Sequence, residues 1–214
     1  MNTTSWGPDG WKLLHSIAYT HSFDTTNRHV KRFFSSIKHV LPCIYCRRSF
    51  AQYTKELPID TDNLFYYVYV IHNKVNEKLR GQGYHHKPDP SYQQVLRFYK
   101  KFVKSIDCAV GWHFLYCIAF EYPENCSERR KKGYTTFFNE LAYLLPLPSM
   151  RETYCSYLTT HPIEDYLESP TLLSKWLHKL ERLTRGDRCE TYKIRCKMVD
   201  ECRVKKCTGK TCRL

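Results

Sequence analysis

Leu41-Pro42-Cys43-Ile44-Tyr45-Cys46-Arg47-Arg48-Ser49-Phe50 holds the one C-x-x-C of a chain with eleven cysteines. Two thiols at that spacing, on the first turn of a helix, can close into a small disulfide whose electrons are exchangeable. Pro42 suits a helix start, because its missing N–H would be unpaired there in any case. A helix N-terminus together with Arg47 and Arg48 favours thiolate over thiol. The competing reading is half of a zinc site, which needs a second ligand pair. No second C-x-x-C occurs, and no C-x-x-H or H-x-x-x-H. The spacing favours redox chemistry at Cys43 and Cys46, with no metal assigned.

Outward from this stretch, the pattern reads as helices. Upstream, Val30, Phe33, Phe34, Ile37 and Leu41 share one face of a helix expected from about Asn27. Earlier still, Trp11, Leu14, His15, Ala18 and Tyr19 mark a first helix starting near Pro8. Downstream, the C-x-x-C helix runs to about Glu56, Pro58 breaks the pattern, and Asp60 or Asp62 can cap the next helix. That helix carries Leu64, Tyr67, Val68, Ile71, His72, Val75, Asn76 and Leu79 along one stripe. A loop over 80–88 precedes a shorter helix, expected from Ser91 to Ser105.

Composition sets the outer bounds. The 214 residues allow one large domain or two small ones, and seventeen Tyr with four Trp argue for a packed chain. The formal charge of +13 points to acidic partners, nucleic acid or anionic cofactors without choosing among them. Residues 1–5 lack the apolar run of a secretory signal, and no stretch is apolar enough to span a membrane. So many cysteines without a signal peptide suggest that the chain makes disulfides or binds metal.

Three blocks taken together resemble the Erv/ALR-type flavin-linked sulfhydryl oxidases: Trp6-Gly7 with Trp11 and His15, then Cys43-x-x-Cys46, then His72 to Leu79. The resemblance covers the first 105 residues and implies an all-α, FAD-binding helical bundle with the disulfide against the isoalloxazine ring. It makes Gly7, Trp11, His15, Tyr19, His72, Asn73, Val75, Asn76, Lys78, Lys87 and Tyr99 the expected cofactor contacts. Trp11 and His15 offer flat faces, Asn73 and Asn76 offer amide groups, and Lys78 and Lys87 can answer a pyrophosphate. There is no G-x-G-x-x-G of a dinucleotide-binding fold. By the same resemblance, Cys46 lies nearest the flavin and the more exposed Cys43 meets protein thiol substrates through a mixed disulfide. Oxygen is the final acceptor, giving hydrogen peroxide. The chain departs from the family in a longer Leu79-to-Lys87-Pro88 interval, in Tyr92 where a stapling cysteine is usual, and in Tyr99 where tryptophan is common.

The second half repeats the first without its chemistry. Residues 112–120 match 11–19 at four of nine positions, and 133–163 run parallel to 29–59. Phe137-Phe138 answers Phe33-Phe34, Leu145-Pro146 answers Leu41-Pro42, Arg151 answers Arg47, Tyr157 answers Tyr53, and His178 echoes His72. Leu147 and Met150 stand in place of the cysteines, and Tyr116 in place of His15. The expected layout is an oxidase domain over 1–106, a degenerate helical duplicate over 107–185, and a flexible, basic, Cys-rich tail over 186–214. Family members pair as homodimers through their first two helices, so the duplicate can act as an internal pseudo-partner. From Arg188 the tail has nine Lys/Arg against three Asp/Glu. Cys202, Cys207 and Cys212 are candidate shuttle thiols, with a zinc site or a nucleic-acid-binding arm as alternatives. The function expected is disulfide generation; the alternative is a non-enzymatic redox or nucleic-acid-binding scaffold on the same fold. Such a domain suits host cytoplasm or a virion if viral, or else the mitochondrial intermembrane space.

Overall fold

Asn2 opens the first helix, α1 (Thr3–Thr20), by accepting the Thr4 N–H on its side-chain oxygen at 3.0 Å. The helix therefore begins one and a half turns before Pro8, which lies inside it. A computed structural model of the chain describes residues 1–22, 28–60, 62–84 and 87–204. Asn27, Cys207 and Cys212 lie outside the described residues. In order follow α2 (Arg28–Val40), α3 (Ile44–Glu56), α4 (Leu64–Gly81), α5 (Tyr92–Phe102), α6 (Trp112–Phe120), α7 (Glu128–Leu144), α8 (Pro148–Thr160), α9 (Pro170–Arg185) and α10 (Tyr192–Val204). The described residues contain no strand, and the chain is all-α.

Local chemistry sets the boundaries. Asn63, not Asp60 or Asp62, caps α4 by accepting the Tyr66 N–H, while Asp60 accepts the N–H groups of Asp62 and Asn63. Ser91 and Gln94 form a reciprocal capping box on α5. Pro42 sits one residue before the cap of α3, which is Cys43 itself. The inward faces read from periodicity are buried: Val30, Phe33, Phe34, Ile37 and Leu41, and Leu64, Tyr67, Val68 and Ile71.

The helices pack in two parallel sets. In the first half α1 lies on α4 and α2 on α3; in the second α6 lies on α9 and α7 on α8. The halves meet through α1 on α6 and, most extensively, α2 on α7. At that seam Phe33 and Phe137 stack at 5.0 Å, and Glu140 accepts from His29 and Arg32, each at 2.6 Å. Gly133 permits the crossing, since a Cβ there would lie 2.4 Å from the Cβ of His39. Gly111, at φ 84°, gives the left-handed turn that opens α6, and Leu13 fills the space against it.

The expectation of a flexible tail from 186 fails over its first part. In α10, Arg195, Val199 and Cys202 are buried, and Tyr192 stacks on Phe120. Arg195 and Arg185 both donate to the wholly buried Glu181, which also accepts from Tyr116 at 2.9 Å. Burial opposes ionisation of Glu181, but hydrogen bonds from the two arginines outweigh it and hold the carboxyl below its usual range. The tail's basic character is thus in part structural, since one of its arginines neutralises a buried acid.

Candidate functional site

The amino-terminal turns of α1, the start of α3, the second half of α4 and the end of α5 enclose a cavity of about 600 Å³. That size suits a small-molecule or cofactor site. Periodicity explains who lines it. His72, Val75, Asn76 and Leu79 recur at helical spacing on α4, and Trp6, Gly7 and Trp11 do so on α1. Cys46, Ser49, Phe50 and Tyr53 complete the wall from α3.

Aromatic stacking sets one side of the site. The rings of Trp11 and His72 lie nearly parallel, 4.0 Å apart with 9° between planes. Behind them, His15 Nε2 and His72 Nδ1 share a 3.0 Å hydrogen bond, and His15 stacks on Tyr99 at 4.8 Å. Burial, and then the neighbouring His72, lowers the His15 pKa to about 3, so its ring is neutral at ordinary pH. Lys78 Nζ donates to Ser49 Oγ at 2.7 Å, setting a cation on the cavity wall beside α3. Trp6 Nε1 is buried, lines this cavity and has no hydrogen-bond partner among the described residues.

The two cysteines occupy different environments. Cys46 faces the cavity; Cys43 does not, and its Sγ accepts the Cys46 N–H at 3.4 Å as the cap of α3. Cys43 was expected to be the more exposed of the pair, yet it is only 7% exposed and Cys46 is half-buried. The reason is the cap itself, which turns the sulfur back over the helix end. Arg47 interacts electrostatically with both sulfurs, and its Nη1 donates to Leu41 O at 2.7 Å, tying the turn closed. Arg48 is exposed.

Of the expected contacts, Gly7, Trp11, His72, Val75, Asn76, Lys78 and Tyr99 line the cavity. His15 stands one layer behind. Tyr19 lies two turns farther along α1 and packs edge-on against Phe65 at 5.7 Å. Asn73 is rotated off the lining stripe, since each residue advances about 100° around a helix. Asn76 donates to Asp89 at 2.7 Å, so part of its amide is engaged by the loop. Lys87 is exposed and outside the cavity. Trp6, named in the motif but not among the expected contacts, also lines the wall, and sequence reasoning missed Ser49, Phe98 and Phe114 there. Ser49 was visible as the residue one turn beyond Cys46. Phe114 was not, because it comes from the other half and stacks on Trp6 at 5.6 Å.

These residues present flat aromatic walls, an open N–H donor at Trp6, the cationic side chains of Lys12 and Lys78, and a thiol facing the same space. That set fits a planar, anionic redox cofactor. Residues 8–100 match the model of the Erv1 / Alr family. Over these residues the chain is similar to that family. A relative in Acanthamoeba polyphaga mimivirus, named a probable FAD-linked sulfhydryl oxidase, is 36% identical over 86 residues. The match covers 38% of this chain and 60% of the relative's length. No solved structure matches the chain significantly. Among the described residues no helix is long and apolar enough to cross a membrane.

Among the candidate shuttle thiols, Cys202 is buried on α10 and contacts Ser5 and His113, away from the cavity. Cys108 is half-buried, with Arg188 donating to its sulfur at 3.5 Å.

Proposed function

We propose that the protein is a flavin-dependent thiol oxidase that generates disulfides in protein substrates, with FAD in the 600 Å³ cavity. One observation carries the reading: within a single helix turn, Cys46 faces an aromatic cavity while Cys43 is turned out of it. A substrate thiolate attacks the Cys43 sulfur of the Cys43–Cys46 disulfide, forming a mixed disulfide and releasing Cys46 as thiolate. A second substrate thiolate then displaces Cys43, leaving a substrate disulfide and a reduced pair. Bound FAD would supply the two-electron reoxidation of that pair, with oxygen taking the electrons as hydrogen peroxide.

The chain's own residues hold the reaction in place. Trp11 and His72 give a flat wall, neutral His15 fixes the His72 ring, and Lys78 offers charge to a pyrophosphate. Arg47 and the start of α3 favour thiolate at both sulfurs. Ile44, 49% exposed beside Cys43, marks the edge from which a protein thiol approaches.

Residues 107–185 are read as a silent copy of the oxidase domain over 1–106, standing where a second subunit would pack. The paired helix contacts and the Phe33–Phe137 stack support this reading. Burial of Cys202 supports Cys207 and Cys212, spaced C-x4-C, over Cys202 and Cys207 as a shuttle pair. The viral relative supports a viral source, with the work done in host cytoplasm or a virion. The test is a purified full chain: it should be yellow, carry about one FAD per chain, and make peroxide in step with dithiol consumed. A colourless protein that fails reconstitution with FAD would sink the reading.

A further inference from the structure

Away from the cavity, α6 and α10 bring together a second group of thiols. His113 and Cys117 stand one turn apart on α6, and Cys202 approaches them from α10. One ligand atom from each lies within 4.8 Å of the others. His113 Nε2 is 3.5 Å from Cys202 Sγ and 4.0 Å from Cys117 Sγ. A zinc ion with Zn–S of about 2.3 Å and Zn–N of about 2.0–2.1 Å sets tetrahedral S···N edges of about 3.6 Å. The observed separations differ from that by small side-chain adjustments. Ser5 Oγ lies beside the group, 2.7 Å from Cys202 Sγ and 3.4 Å from His113 Nε2.

We propose that His113, Cys117 and Cys202 bind one zinc ion, with Ser5 or a water held by it at the fourth position. The chemistry of the pocket favours this occupant. Both sulfurs are buried. An isolated thiolate is costly there, but Zn²⁺ with two thiolates is neutral overall. Binding therefore releases two thiol protons and leaves no net charge in the interior. The ion would join α6 to α10 and, through Ser5, to α1, where Asn2 N–H already donates to Cys202 O at 3.2 Å. It would also hold Cys117 and Cys202 out of thiol–disulfide exchange.

The test uses the full chain, produced with zinc supplementation and purified in a non-thiol, non-chelating reductant. Elemental analysis should find about one zinc per chain, falling at least about tenfold in Cys117→Ala and Cys202→Ala. The Cys207→Ser/Cys212→Ser double variant should keep its zinc, which separates this site from the Cys-rich tail. Because the alanine variants could lose structure, cobalt titration of the stripped wild-type chain gives an independent reading. A sulfur-to-cobalt charge-transfer band with tetrahedral visible bands supports two thiolate ligands; an octahedral, pale spectrum overturns the site. Zinc retained in Cys202→Ala, no zinc after supplementation, or a Cys117–Cys202 disulfide in the reduced, zinc-treated protein would each overturn it as well.

Discussion

The two halves of the molecule keep the same joints and differ in what they enclose. Arg47 donates to Leu41 O at 2.7 Å, and Arg151 donates to Leu145 O at 2.6 Å. Cys43 caps α3 where Leu147 stands ahead of α8, and both following helices end on a bond to a tyrosine carbonyl, Tyr53 or Tyr157. Asn63 and Ser169 cap α4 and α9, each accepting the N–H three residues on. From those caps, His72 corresponds to His178, Val75 to Glu181 and Leu79 to Arg185. His15 bonds to His72 at 3.0 Å, and Tyr116 bonds to His178 at 2.9 Å. In the first half Val75 and Leu79 border an open cavity. In the second, Glu181 and Arg185 sit at those positions and, with Arg195, fill the interior. The same arrangement of caps and helices thus closes around either a cavity or a set of polar side chains that satisfy one another.

The sharpest way to break the comparison is at the cysteines. Cys43→Ser and Cys46→Ser should each abolish dithiol oxidation while flavin remains bound, and Leu147→Cys/Met150→Cys should restore none. Only Cys43→Ser leaves a thiolate at Cys46, so it alone should add a long-wavelength absorbance band. The band appearing in Cys46→Ser would reverse the assignment of the two thiols.

Next in size is the filled interior. Glu181→Ala strands Arg185 and Arg195 and should cost about 3–5 kcal/mol in denaturant unfolding. A cost under about 1 kcal/mol would mean the pair is solvated and the second half less closed than described. At the seam between halves, Gly133→Ala forces α7 off His39 and should cost about 1–3 kcal/mol.

A gentler test uses acid. The His15 pKa in the folded chain, about 3, lies below its unfolded value of 6.5. Its contribution is present above pH 6.5 and is lost as pH falls toward 3. Between those limits the unfolded chain binds the extra proton, so stability should drop by about 1.4 kcal/mol per pH unit. His15→Tyr, which installs the second half's residue, should remove that part of the slope. An unchanged slope would place the acid-sensitive group elsewhere.

Much of this was legible in the residues. The stripe from Leu64 to Leu79 located both the core face of α4 and, in its last two turns, the cavity wall. His72 lies on that stripe, and its role, like those of Trp11 and Lys78, came from the family resemblance. What escaped depended on distant packing. Phe114 enters the cavity only because α6 lies on α1, and Cys43 is covered only because its sulfur caps the helix that it opens. The docking of α10 left a trace, with Tyr192, Arg195, Val199 and Cys202 on one helical face. It went unread because an arginine in a basic run looks solvated until its buried partner is known. His113-x-x-x-Cys117 carries no local signature either, because its third companion lies 85 residues away at Cys202.

The crossing of α2 on α7 has a further consequence. When two identical chains meet, every substitution at the contact arrives twice, on both sides of the axis at once. Here Phe33 faces Phe137, and Gly133 faces His39, with each residue encoded once. Either side can change without its counterpart, so compensating changes can be acquired one at a time. Association between the two faces is also unimolecular, and dilution leaves it intact.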